Sequence, residues 1–274
     1  MTESPPPIER SAGTISLRRF WATLAITSLP FYLWGALSDA SVGPTGLPMS
    51  ALMFLCPAVA AVVAAGGVRA PVAALVRRPR GATTVVGALT IPPVAIGIAS
   101  GGLPVESSLA TSAALYLMAA AFEELGWSAV LAPALLRRHR PVATGLLIGA
   151  AWALWHVIPY LQAGYSIADL LAQCWFTVAL RVVLVLLVVA AGTAPIVAVV
   201  GHAASNVAWT AAAGGGAYSP ALSAASMSIA AIALAIVMTR GSAGRRAAST
   251  EPGADRTPGP AGPAGERSGR RRRP

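Results

Sequence analysis

The chain has 274 residues, 55% of them hydrophobic and only 11% charged, with a mean hydropathy of +0.66. One soluble core of this size needs far less apolar sequence, so a soluble single-core domain is excluded and an integral membrane protein is indicated. The net charge of +10 is carried by arginine, without a single lysine; its placement reports topology and implies no nucleic-acid partner.

Residues 1–16, with Pro5, Pro6 and Pro7, carry no periodic apolar pattern and are expected to be a disordered cytoplasmic N-terminus. A membrane domain follows over 17–240, and 241–274, rich in Pro, Gly, Ala and Arg, is expected to be a disordered basic cytoplasmic tail. At about 20 apolar residues per crossing, the domain reads as eight helices: 20–38, 49–67, 82–100, 108–135, 142–160, 167–189, 193–212 and 219–239. The first follows Arg18 and Arg19 and resembles a signal peptide, but its length and the later spans favour an uncleaved anchor. Pro30, Pro57, Pro92, Pro93 and Pro133 fall inside spans and are expected to kink them. Cys56 and Cys174 lie in apolar runs and read as small core residues, with no disulfide or CxxC metal signature.

Arg10, Arg18 and Arg19, then Arg69 to Arg80, then Arg137 to Arg140, then Arg240 onward alternate with connections that hold Asp39, Glu106 and Asp169. Under the positive-inside rule both termini are cytoplasmic and the number of spans is even. The fold class expected is therefore an all-α, polytopic membrane helix bundle in the cell membrane. The run Arg270 to Arg273 could hold anionic lipid headgroups, at about 1 kcal/mol per residue near the surface.

The fourth span carries Glu123 and Glu124. At mid-membrane each unpaired carboxylate costs roughly 2.5 to 3.5 kcal/mol, which a structural role alone seldom explains. Adjacent residues point about 100° apart on a helix, so the two can face two neighbours, or one a neighbour and the other a cavity. Trp127 and Ser128 follow one turn on. In the fifth span Gly145, Gly149, Trp152 and His156 share one face, and the small residues allow a neighbouring helix to come close. His139, in a basic loop, reads as solvated. The sixth span has Asp169, Gln173, Thr177 and Arg181 spaced by four, a polar stripe. A buried guanidinium needs a carboxylate, and the acids at comparable depth are Glu123 and Glu124; Glu124 is the expected partner of Arg181. The seventh span presents His202 and Asn206 at i,i+4 on one face. These groups need one another as partners and are expected to converge on one wet cavity.

Together these residues resemble the CAAX protease and bacteriocin-processing family of intramembrane endopeptidases. Its E-E-x-x-x-R motif resembles Glu123 to Ser128, its aromatic-x-x-x-His motif resembles Trp152 to His156, and its H-x-x-x-N/D motif resembles His202 to Asn206. The ordered set covers about 108–212, with one departure: Ser128 stands where the family has arginine, and Arg181 is the candidate replacement. The resemblance implies hydrolysis of a peptide bond in a membrane-associated peptide or protein. Glu123 would act as general base on water, His156 would polarise that water or shuttle the proton, His202 and Asn206 would donate to the oxyanion, and Glu124 would orient its neighbours. Trp152, Ser128 and Arg181 would support them. No cofactor is fixed by these residues. Zinc or another divalent metal, if bound, would sit on Glu123, His156 and His202, although the His-Glu-x-x-His signature is absent and metal-free chemistry is the reading preferred. Two alternatives remain open at this level: a non-catalytic immunity or partner-binding member of the family, and a proton-coupled transporter.

Overall fold

Where apolar sequence meets lipid, backbone N–H and C=O groups are satisfied only by intrahelical hydrogen bonds. The computed structural model, which describes residues 15–38, 40–41, 48–104 and 109–250, is accordingly helical, with no strand among the described residues. The helices are α1 (Leu17–Leu37), α2 (Cys56–Ala65), α3 (Arg69–Leu75), α4 (Ala82–Ala99), α5 (Leu109–Gly126), α6 (Ala132–Leu136), α7 (Pro141–Gln162), α8 (Ile167–Ala190), α9 (Ile196–Gly214) and α10 (Pro220–Thr250). A 3₁₀ segment, Met49–Leu55, leads into α2, and a π turn, Trp127–Leu131, joins α5 to α6. Met1–Met238 forms one compact unit, which contains every candidate site residue; Thr239–Pro274 forms a second, described to Thr250 and helical that far.

Seven helical stretches among the described residues are long and apolar enough to cross a membrane: α1, α4, α5 through α6, α7, α8, α9 and Pro220–Gly241. The second expected span, 49–67, is shorter than predicted because Gly66 takes a left-handed φ of 70° and ends α2. Its seven 3₁₀ and ten α residues nevertheless reach roughly 29 Å, since a 3₁₀ residue rises about 2.0 Å against 1.5 Å for α. That is close to the roughly 30 Å of a hydrocarbon core. The expected tail is also corrected at its start. α10 continues past 241 to Thr250, sustained by good helix formers such as Ala243, Arg245, Arg246, Ala247 and Ala248. Residues 1–14, Asp39, Glu106 and the arginines of 270–273 lie outside the described residues.

Two prolines sit where the helix type changes along a span. Pro57 lies in the first turn of α2, where the 3₁₀ segment gives way to α, and Pro133 in the first turn of α6, directly after the π turn. Pro30, Pro92 and Pro93 lie inside continuous helices.

The centre of the unit is α8, flanked by α7, α9 and α4 and buried over 72% of its most apolar window. α7 approaches it through glycine. A Cβ on Gly145 would stand 2.7 Å from Val182 Cα, and one on Gly149 would stand 2.9 Å from Val178 Cα, so only hydrogen fits at either position. The face that carries Trp152 and His156 is thus the face that packs tightly, as the spacing predicts. Outward-pointing Ile26, Ile98, Leu154 and Leu171 are more than 60% exposed, the pattern of a bundle that meets lipid rather than water. Cys56 is buried, Cys174 half-buried, and both are free thiols.

Candidate active site

Glu124 is fully buried and saturated with donors. Arg181 Nη1 reaches its Oε2 at 2.7 Å from α8, Ser128 Oγ donates to the same oxygen at 2.5 Å, and His202 Nδ1 lies 3.0 Å from Oε1. Three donors, one a guanidinium, form the bonding pattern of a carboxylate anion. The expected pairing of Arg181 with Glu124 is therefore present, and the cation that the family motif would place at Ser128 arrives from another helix. Ser128 contributes a hydroxyl instead.

The local backbone sets this up. Pro133 has no N–H to offer the carbonyl of Ala129, and Ala132 donates its N–H to Trp127 O, one residue further back than in an α-helix. The resulting π turn begins three residues after Glu124 and buries Trp127 and Ser128. Trp127 closes the region with edge-on contacts to Phe20 and Trp155, at 5.9 and 5.7 Å between ring centroids.

Glu123 has a different environment. Among the described residues its carboxylate takes one hydrogen bond, from Trp152 Nε1 at 2.8 Å, and it lines a cavity of about 360 Å³. His156, His202 and Asn206 line the same cavity. His156 Nδ1 lies 2.9 Å from Trp152 O; a carbonyl only accepts, so Nδ1 carries the proton and Nε2 of neutral His156 is left as an acceptor. Glu124 orients His202 in the same way, through Nδ1. Trp152 links the two layers of the site. Its indole holds Glu123, the Arg181 guanidinium stacks on it with Cζ 4.0 Å from the ring centroid, and the His202 ring meets it edge-on at 4.9 Å.

All the candidate residues thus come together, Glu123, His156, His202 and Asn206 at the cavity and Glu124, Arg181 and Ser128 behind it. The polar stripe of α8 also faces inward: Gln173 and Thr177 line the cavity, and Asp169 instead bonds Ser166 Oγ at the start of the helix. Several contributors carry no signal in the spacing. Tyr218 donates to Gln173 Oε1 at 2.6 Å, Tyr160 and Thr177 hydroxyls lie 3.2 Å apart, and α1 is fixed to α7 by Trp155 Nε1 donating to Ser28 Oγ and Tyr32 OH donating to Trp155 O. Each depends on a rotamer or on a loop, and neither is periodic.

Among the described residues no three His, Cys, Asp or Glu side chains are grouped closely enough to hold an ion. Glu123 gives one oxygen to Trp152 and each histidine turns Nδ1 to a protein acceptor, so the second Glu123 oxygen and the two Nε2 atoms are the donors an ion would use. As placed, Glu123, His156 and His202 are not grouped as a ligand set among the described residues, and no step is derived through a metal.

No curated protein matches the chain. Residues 105–208 match the family model described as type II CAAX prenyl endopeptidase Rce1-like. The match spans all three motifs, from α5 into α9, and supports the resemblance to the CAAX protease and bacteriocin-processing family, a family of membrane proteases.

Proposed function

From that match across residues 105–208 we propose that the chain is a multi-pass intramembrane endopeptidase of the cell membrane, hydrolysing a peptide bond in a membrane peptide or protein with water activated by Glu123. The observation that carries this reading is the inequality of the two glutamates: Glu124 is saturated by three donors, and Glu123 faces a cavity shared with two imidazoles and an amide.

Glu123 takes a proton from water as the water oxygen attacks the scissile carbonyl carbon. His156 Nε2, the acceptor nitrogen, aligns that water. His202, held through Nδ1 by Glu124, donates from Nε2 when doubly protonated, and Asn206 donates its amide, so both face the oxyanion of the tetrahedral intermediate. Collapse of the intermediate breaks the C–N bond, and Glu123 returns its proton to the leaving amine. The ion pair of Glu124 with Arg181 favours this over the immunity or partner-binding reading, because the support expected of the missing motif arginine is present.

The test compares peptide termini in membranes carrying wild-type chain or Glu123→Gln at matched abundance, with a chelator-treated wild-type arm. New termini that depend on Glu123 and persist in chelator are expected. Their loss in chelator would favour a zinc mechanism. Identical termini from both folded chains would return the protein to the binding reading, and a Glu123-dependent proton flux without cleavage would make it a transporter.

A further inference from the structure

The bundle has one arginine-rich end and one end without arginine. Ser16, just ahead of Arg18 and Arg19, donates its backbone N–H to Ala64 O at 3.1 Å, and Arg80 donates its own to Ala191 O at 2.9 Å. Arg77 Nη1 bonds Thr193 Oγ1 at 2.9 Å. α7 runs parallel to α1, since Trp155 bonds Ser28 and Gln162 Nε2 bonds Tyr32 O, so Arg137, Arg138 and Arg140 at its start join the same end. The opposite connections, 38–48, 100–108, 163–166 and 215–219, contain no arginine or lysine but hold Asp39 and Glu106, with Asp169 in the first turn of α8.

The cavity lies in the arginine-free half. It is lined by Pro48, which precedes the 3₁₀ segment, by Ala163 and Tyr165 of the α7–α8 connection, by Gln173 in the second turn of α8 and by Trp209 near the end of α9. Tyr165, Trp209 and Tyr218 gather at this end, aromatic groups with one polar tip that suit a membrane–water boundary. Among the described residues the lining has no arginine or lysine. Arg181 is not part of it, being fully buried and bonded to Glu124. A substrate cut close to its free C-terminus would bring a carboxylate next to Glu123, into a space whose described lining offers no guanidinium or ammonium to pair it.

We infer that the substrate is an internal, juxtamembrane segment of a membrane peptide or protein presented from the extracytoplasmic side, and not a cytoplasmic C-terminus. The inference rests on the protease reading for its chemistry and on arginine placement, under the positive-inside rule, for its side.

The experiment has two arms on the full chain in membranes. In a Cys56→Ala, Cys174→Ala background, Ala163→Cys, with Tyr165→Cys as a second mouth position, is exposed to a membrane-impermeant maleimide in right-side-out and inverted vesicles, with Arg138→Cys as the opposite reporter. The mouth cysteines are expected to label only right side out and Arg138→Cys only after inversion; the reverse overturns the inference. In the second arm the Glu123-dependent termini are mapped onto substrate topology, and internal cuts in extracytoplasmic segments are expected. Glu123-dependent cuts at cytoplasmic C-termini would overturn this substrate and leave the protease reading standing. An absence of Glu123-dependent cuts, with the mouth labelled outward, would sink the protease reading and the substrate with it.

Discussion

Glu123 and Glu124 are neighbours in sequence with different partners, and substitutions at their surroundings should separate binding from chemistry. Removing one member of a buried ion pair leaves an uncompensated charge, at a cost of about 3–5 kcal/mol. Arg181→Ala should therefore lower the thermal unfolding midpoint of the detergent-solubilised protein sharply; an unchanged midpoint with intact cleavage would remove the ion pair from the account. Ser128→Arg should destabilise on its own, because it adds a second guanidinium to an occupied site. Combined with Arg181→Leu it should recover much of the loss, since Ser128 Oγ already sits 2.5 Å from Glu124 Oε2; a double variant worse than either single one would show that Arg181 has another partner. Asn206→Ala should lower kcat by about 10²–10³-fold with little change in KM, the effect of losing one oxyanion donor. A loss confined to KM would assign Asn206 to substrate binding instead. The Arg181–Glu124 pair was legible in the sequence because a deep guanidinium had only two acids to choose from. The indole bond from Trp152 to Glu123 was not, because helical spacing fixes a face but leaves the rotamer open.

Helices were legible as apolar runs, and the tightly packed face of α7 was legible as well: Gly145 and Gly149 announced a close neighbour, which the structure identifies as α8. Gly149→Leu should drive α7 away from α8, because a Cβ there already stands 3.2 Å from Arg181 Cβ. Overpacking of this kind costs about 1–3 kcal/mol, and misplacing Trp152 and His156 by about 1 Å should reduce cleavage by about 10²-fold. The check is to measure kcat and the unfolding midpoint of one preparation; an active, less stable protein would detach this contact from the chemistry. Other features left no periodic trace. The π turn depends on a single missing N–H at Pro133, and the 3₁₀ start of the second crossing changes the rise per residue without changing composition. The helix from 241 to Thr250 was missed for a similar reason. Its alanines and arginines favour helix locally but present no apolar face to read.

At the scale of the molecule, charge placement and cavity position give the same axis. The arginine-bearing connections gather at one end and the cavity occupies the other half, an arrangement that sequence foretold only for the arginines. The groups of the site come from α5, α7, α8 and α9, so the site cannot exist before these helices have packed. That has a consequence for biogenesis. Glu124 leaves the ribosome 57 residues ahead of Arg181 and 78 ahead of His202. At roughly 5–20 residues per second of synthesis, the acid pair waits on the order of 3 to 11 s for its cation. During that interval it must cross or linger at the insertion machinery as an uncompensated pair. A family motif with its own arginine carries the counter-charge four residues away; this chain defers it to a later helix, and the nascent protein lacks its site until α9 has followed α8 into the membrane.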